Sequence, residues 1–170
     1  MTTAVLLALA ALALAVLSLA LRRRARLPGR VVASDVGGAP PVRLLRSAHY
    51  GLSGKPDYLL EERGRIVPVE VKPTRRATRP WLRDVVQLAA YCLLLSESEP
   101  RFAGYGYLRY AHHTFRIDFT ASLRDELLRT LAALRADLTA ADVDPNHHDP
   151  RRCARCALVT VCGKVVTGAS

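Results

Sequence analysis

The sequence predicts an α/β domain built on a mixed sheet and preceded by a single transmembrane helix. Three observations carry that prediction. Beyond residue 41 the chain reads as strand, strand, strand, helix, strand, strand, helix, an alternation that belongs to α/β architecture. Residues 1–21 contain no charged side chain, and Arg22, Arg23, Arg24 and Arg26 follow at once. The 170 residues are 50% hydrophobic, which suits one domain with an appendage and excludes a disordered or collagen-like chain. Lys and Arg number 25 against 15 Asp and Glu, giving a formal net charge of +10.

Ala4–Leu21 is an 18-residue run of Ala, Leu and Val in which Ser18 is the one polar residue. As a helix it extends roughly 27 Å, close to the ~30 Å hydrocarbon core of a bilayer. A secretory signal places positive charge before its apolar stretch; here Met1-Thr2-Thr3 precedes and the arginines follow. The competing reading is a buried Ala/Leu helix, but the run leaves no solvent face. The positive-inside rule puts the N-terminus outside and everything beyond residue 22 in the cytoplasm. Anionic lipid headgroups account for Arg22–Arg26 without nucleic acid. Residues 1–26 are therefore read as anchor and basic flank. Residues 27–41, rich in Gly, Pro, Ala and Val, read as a linker. Residues 42–141 form the domain and 142–170 a cysteine-containing segment.

Within the domain, Val42–Ser47 is expected as a short strand. Pro56–Glu62 and Arg65–Lys72 are extended runs joined by Glu62-Arg63-Gly64-Arg65, the pattern of a hairpin. Pro73–Pro80 is a basic, proline-bounded loop. Trp81–Leu95 carries Val85, Leu88, Cys92 and Leu95 at helical spacing. Phe102–Arg109 and Thr114–Phe119 are strands turning at Tyr110-Ala111-His112-His113. Ser122 is a suitable N-cap for a helix to Ala140, striped by Leu127, Leu131, Leu134 and Leu138.

The hairpin holds the residues with chemistry. Asp57 begins its first strand, and Glu70 and Lys72 end its second. Side chains two apart on a strand share a face, so Glu70 and Lys72 point together while Val71 packs behind. The turn brings the Asp57 end beside them. Two carboxylates plus the backbone carbonyl of Val71 are hard oxygen donors suited to Mg²⁺ or Mn²⁺. Such an ion acidifies bound water and offsets charge on a phosphorane-like transition state, and Lys72 is placed to hold water or a phosphate oxygen. A solvated Glu70–Lys72 salt bridge is the plainer alternative. On the next helix Gln87 and Tyr91 lie four apart, and Arg83 one turn earlier, forming a polar stripe.

The ordered set Gly54-Lys55-Pro56-Asp57, Glu70-Val71-Lys72 and Gln87-x-x-x-Tyr91 resembles the PD-(D/E)XK nuclease superfamily, and more narrowly the RecB-like exonucleases of the CRISPR-associated type. The resemblance covers about residues 47–162. It implies a restriction-endonuclease-like mixed sheet flanked by helices, and metal-dependent DNA cleavage of the exonuclease kind. Carried over residue by residue, it assigns catalysis to Asp57, Glu70 and Lys72, metal binding to Asp57, Glu70 and the Val71 carbonyl, and support or DNA contact to Gln87, Tyr91 and Arg83. Members of that family usually begin with a helix supplying a metal-binding His and a first cluster cysteine. Here the apolar run and linker stand in that place. His49 either replaces the missing ligand or is an ordinary solvated or core histidine.

Cys153, Cys156 and Cys162 form C-x2-C-x5-C, the C-terminal spacing of the family's iron–sulfur members. A [4Fe-4S] cluster, a zinc ion and free thiols all remain open. A fourth ligand is needed for the first two. Cys92 is the one other thiol, but it sits on the apolar side of its helix; His147 and His148 lie near in sequence.

Lys72, Arg75, Arg76, Arg79 and Arg83 place five positive charges in twelve residues, and Arg151, Arg152, Arg155 and Lys164 add more near the cysteines. Such clusters suit phosphate backbone binding, and DNA is the expected partner. Tyr105, Tyr107 and Tyr110 are either base-stacking platforms or half-buried sheet residues, the second being the commoner fate. Two other functions stay in view: a catalytically inactive nuclease fold serving as a nucleic-acid-binding or iron–sulfur module, and a tethered zinc protein in which Asp57 and Glu70 are incidental.

Overall fold

The computed structural model describes residues 9, 11–14, 27–35, 38–145 and 147–166. Its elements are β1 (Arg30–Ser34), β2 (Leu45–Ser47), β3 (Leu52–Gly54), β4 (Tyr58–Glu62), β5 (Arg65–Lys72), α1 (Leu82–Ser98), β6 (Tyr105–Tyr110), β7 (Thr114–Asp118), α2 (Ala121–Thr139) and α3 (Pro150–Ala154). The chain divides into two compact units, residues 1–128 and 129–170, with the division inside α2.

The first unit is built on a five-stranded sheet in the order β1-β4-β5-β6-β7. Only β5 and β6 run parallel; the other neighbours are antiparallel. A parallel pair needs a crossover, and α1 supplies it. The mixed α/β plan is therefore as expected. The β4–β5 hairpin closes through Arg63 and Gly64, with φ of 51° and 77°. Positive φ at both central residues is the type I′ geometry that matches strand twist.

Alternation along β5 sorts the core. Val67, Val69 and Val71 face one side, where Leu60 and Tyr107 pack with them. Glu70 and Lys72 face the other, toward α1. There Leu88, Tyr91 and Cys92 meet Leu108 and Tyr110, with Phe115, Ile117 and Phe119 against the cluster. Pro68 lacks a donor, and it sits where the β5–β6 pairing is interrupted, between the Ile66–Phe102 bridge and the Val69–Tyr107 pair. That position tolerates a proline in a central strand.

Several boundaries differ from expectation. Arg30–Ser34, inside the stretch read as linker, is an edge strand paired with β4. The strand expected at Val42–Ser47 is Leu45–Ser47, and it pairs with Leu52–Gly54 in a separate two-stranded sheet that contacts α1. This second partner explains why Ala89, Leu93 and Leu94 are buried as well as Leu88 and Cys92. The second long helix begins at Ala121, one residue before the expected cap. Thr120, not Ser122, caps it, accepting the Leu123 amide at 3.2 Å. Of its leucine stripe, Leu127 is buried while Leu134 and Leu138 are exposed.

The transmembrane expectation falls on Ala4–Leu21, most of which lies outside the described residues. Residues 9 and 11–14 are helical, and Leu9, Leu12 and Leu14 are exposed. Among the described residues no helix is long and apolar enough to cross a membrane.

Candidate active site

The hairpin sets the site. Tyr58 pairs with Val69 and Leu59 with Pro68, so the residue preceding β4 arrives opposite the end of β5. That residue is Asp57, and its Oδ2 accepts the Val71 amide hydrogen at 2.7 Å. One carboxylate is thereby fixed to the backbone between Glu70 and Lys72. Glu70 is 4% exposed. Lys72 Nζ donates to Glu70 Oε1 at 2.6 Å and to Gln87 Oε1 at 2.9 Å. Gln87 Nε2 donates to the Tyr91 hydroxyl at 2.9 Å. Glu70, Lys72, Gln87 and Tyr91 therefore form a hydrogen-bonded chain between β5 and α1.

The glycine of the Gly54-Lys55-Pro56-Asp57 series has a steric reason. A Cβ on Gly54 would lie 2.9 Å from Tyr91 Cε1, so β3 approaches the helix only because that position is bare. Gly106 does the same beneath Leu88, whose Cδ1 would be 2.8 Å from an added Cβ.

The electrostatics follow from burial. Removal from water raises the Glu70 carboxyl above its ordinary value, the Lys72 hydrogen bond opposes this, and the neighbouring Asp57 charge raises it further. Burial likewise raises Tyr91, with the Gln87 bond opposing and the Glu70 and Asp57 charges adding to the rise. A desolvated Glu70 carboxylate beside the Asp57 charge is a setting that a divalent cation relieves. The donors are hard oxygens, as Mg²⁺ or Mn²⁺ requires. No group of three or more His, Cys, Asp or Glu side chains forms a metal site among the described residues. Asp57, Glu70 and the Val71 carbonyl are the oxygen donors that could hold such an ion.

Not every expected residue joins this cluster. His49 is exposed between β2 and β3, its ring in edge contact with Tyr50 at 4.5 Å. Arg83 lies in the first turn of α1 with its guanidinium 4.4 Å from the Trp81 ring centroid, directed to that indole rather than into the chain of bonds around Lys72. Tyr105 and Tyr107 both donate to Glu62 Oε2 at 2.9 Å, and Tyr107 and Tyr110 are buried; they are sheet residues, not open platforms.

One group escaped the sequence reading. Asp84, 3% exposed, accepts from Arg75 Nη1 at 2.6 Å and from the Tyr110 hydroxyl. It ties the loop after Lys72 to the start of α1 and the end of β6. Its signal was an acid one turn before Gln87 on the apolar side of a helix, where a charge needs a buried partner.

Cys92 is enclosed with Leu88, Tyr91, Leu108 and Tyr110, and burial pushes its thiol up to about 12. It is a core thiol, turned some 100° from Tyr91 by the helical repeat, and this corrects its reading as a cluster ligand. In the second unit Cys153, Cys156, Cys162 and His147 line one cavity of about 390 Å³, otherwise largely apolar. Cys153 is buried, Cys156 and Cys162 exposed. The donor types suit an iron–sulfur cluster or zinc, but their spacing here does not form a ligand group. His147 Nδ1 accepts the Asp149 amide at 3.3 Å.

The model of the PD-(D/E)XK nuclease superfamily matches residues 3–163. A CRISPR-associated exonuclease Cas4/endonuclease Cas1 fusion of Myxococcus xanthus is 30% identical over 125 residues, covering 69% of this chain and 22% of that protein. A fusion of the same description from Rhodospirillum rubrum is 31% identical over 127 residues, covering 69% and 21%. The CRISPR-associated exonuclease Cas4 of Rhodospirillum rubrum is 31% identical over 127 residues, covering 69% of this chain and 37% of its own length. The chain thus spans well under half of each of these relatives.

Proposed function

Because the chain belongs to the PD-(D/E)XK nuclease superfamily, we propose that it is a divalent-metal-dependent deoxyribonuclease of the exonuclease type. The observation that carries this reading is the hydrogen-bonded chain of Glu70, Lys72, Gln87 and Tyr91 with Asp57 fixed against Val71. A solvated salt bridge would not need two further polar side chains from a packed helix.

Asp57, Glu70 and the Val71 carbonyl would hold Mg²⁺ or Mn²⁺. When bound, that ion lowers the pKa of water and offsets charge growing on the phosphoryl oxygens. The protein's own groups do the rest. Hydrolysis forms one bond from a water oxygen to phosphorus and breaks one from phosphorus to a sugar oxygen. Lys72 presents its ammonium to the attacking water or a phosphoryl oxygen. Glu70 and Gln87 keep Nζ in place, so little reorganisation accompanies the reaction. Tyr91 orients Gln87, and the cations of the loop after Lys72 draw the phosphate backbone in.

The similarity to Cas4 exonucleases supports the exonuclease reading, and the C-x2-C-x5-C spacing of Cys153, Cys156 and Cys162 supplies thiolates for a C-terminal cluster. Iron and sulfide in anaerobically purified protein would favour [4Fe-4S]; zinc alone would favour the alternative. Membrane lipid contact and a cytoplasmic domain rest on Ala4–Leu21 and the arginines after it. The family match begins at residue 3, which brings that run within the nuclease alignment.

The experiment is degradation of linear and covalently closed circular DNA by the full chain with Mg²⁺ or Mn²⁺. Loss of the linear form alone, abolished by Lys72→Ala, supports an exonuclease. DNA binding without cutting in any divalent metal would leave an inactive binding module.

A further inference from the structure

The segment that leaves Lys72 and returns as the first turn of α1 builds a cationic feature outside that hydrogen-bonded chain. Trp81 is 45% exposed, and the guanidinium carbons of Arg75 and Arg83 stand 3.9 and 4.4 Å from its ring centroid. Arg75 is anchored to buried Asp84 at 2.6 Å. The Trp81 amide donates to the Tyr110 hydroxyl at 3.0 Å, which in turn donates to Asp84. Arg83 keeps 65% of its side chain exposed, with Nε 3.9 Å from Asp84 Oδ1.

The charges do not balance. Two guanidiniums share one carboxylate, and Arg76 and Arg79 are exposed on the same loop. Neither has an ion-pair partner among the described residues. Like charges held together raise the free energy of the unliganded protein, and an arriving anion lowers it. The indole keeps planar guanidiniums ordered, and ordered arginines match phosphate oxygens better than a mobile charge does. The feature is also mechanically joined to the site. The Arg75 amide donates to the Lys72 carbonyl at 3.1 Å, and Asp84 lies one helical turn before Gln87.

We propose that Trp81, Arg75 and Arg83 form a phosphate-binding ledge that holds the nucleic-acid backbone beside the Asp57–Glu70–Lys72 centre, with the tryptophan acting as a scaffold for cations. The proposal rests on the nuclease reading above and names where its substrate's flanking phosphate binds. A chain of regularly spaced phosphates reaches both the ledge and the centre, which a single small anion does not.

The test is fluorescence anisotropy of a short labelled single-stranded oligodeoxynucleotide with the full chain, in EDTA, over a range of salt. Trp81→Ala changes no charge, so a purely electrostatic surface would ignore it. The ledge requires about a three- to tenfold loss of affinity, largely restored in Trp81→Phe. Arg83→Gln should lower the magnitude of the salt slope by about 0.7, one phosphate contact on a single strand. Wild-type affinity and slope in Trp81→Ala overturn the ledge, as does equal loss in Trp81→Phe. Loss of binding to anionic phospholipid vesicles with unchanged oligonucleotide binding also overturns it. Lys72-dependent cleavage is scored separately with metal present, so failure of the ledge leaves the nuclease reading standing. Absent cleavage in the wild type fails that reading while the EDTA series still reports on the ledge.

Discussion

Asp57 Oδ2 and the Val71 amide meet at 2.7 Å across the β4–β5 hairpin. This bond makes the site a consequence of strand register. Tyr58 opposite Val69 is what delivers the Asp57 carboxylate to the segment carrying Glu70 and Lys72. A slip of one residue would turn Glu70 and Lys72 to the valine face. The catalytic proposal therefore depends on a two-residue turn, Arg63-Gly64, that fixes the register.

Gln87 bridges Lys72 and Tyr91. Gln87→Ala should lower the DNA cleavage rate about 10- to 100-fold, the usual cost of losing a group that orients the site, with the melting temperature little changed. A rate within about twofold of wild type would show that Lys72 needs no such support.

Gly54→Ala should destabilise the fold by about 1–3 kcal/mol, the range for a forced close contact, since its Cβ would meet Tyr91 Cε1 at 2.9 Å. Urea unfolding measures this. Tyr91→Leu in the same chain should recover part of the loss by removing the ring, and an unaltered midpoint in Gly54→Ala would contradict the steric account of that glycine.

Cys92 should be silent toward thiol reagents in the native, cluster-free protein, while exposed Cys156 and Cys162 label quickly. With its thiol at about 12, the thiolate is about one part in ten thousand at pH 8. The folded chain keeps a proton that the unfolded chain releases from an ordinary 9.0. The linked stability is full below 9.0 and is lost as pH climbs through about 12. Labelling of Cys92 as fast as Cys156 would place it outside the core.

Much of the site was legible because its signals are local. A hairpin turn, a period-two strand and an i, i+4 pair each specify which side chains share a face, and these bring Asp57, Glu70, Lys72, Gln87 and Tyr91 together. The misses have one physical origin, contacts between distant segments. Arg30–Ser34 becomes a strand only because β4 has an edge to offer, and a Gly/Pro-rich stretch carries no period of its own. Leu52–Gly54 is too short to show alternation. Asp84 was not singled out because its partners Arg75 and Tyr110 come from elsewhere in the chain. Arg83 shares a helical face with Gln87, yet the indole of Trp81 takes its guanidinium.

The apolar run Ala4–Leu21 makes a separate prediction. If it anchors the protein, the full chain should sediment with membranes, resist extraction at alkaline pH and be released by detergent. Recovery in the supernatant after alkaline extraction would assign the run to the nuclease fold instead.

The most direct measurement is the initial rate of DNA cleavage by the full chain as Mn²⁺ is titrated, for wild type beside Asp57→Asn. A saturable, metal-dependent rate in the wild type, abolished in Asp57→Asn although the variant still binds DNA in EDTA, is the predicted result. Equal metal-dependent cleavage in both proteins would contradict it, because the carboxylate tied to Val71 would then hold nothing that the reaction needs.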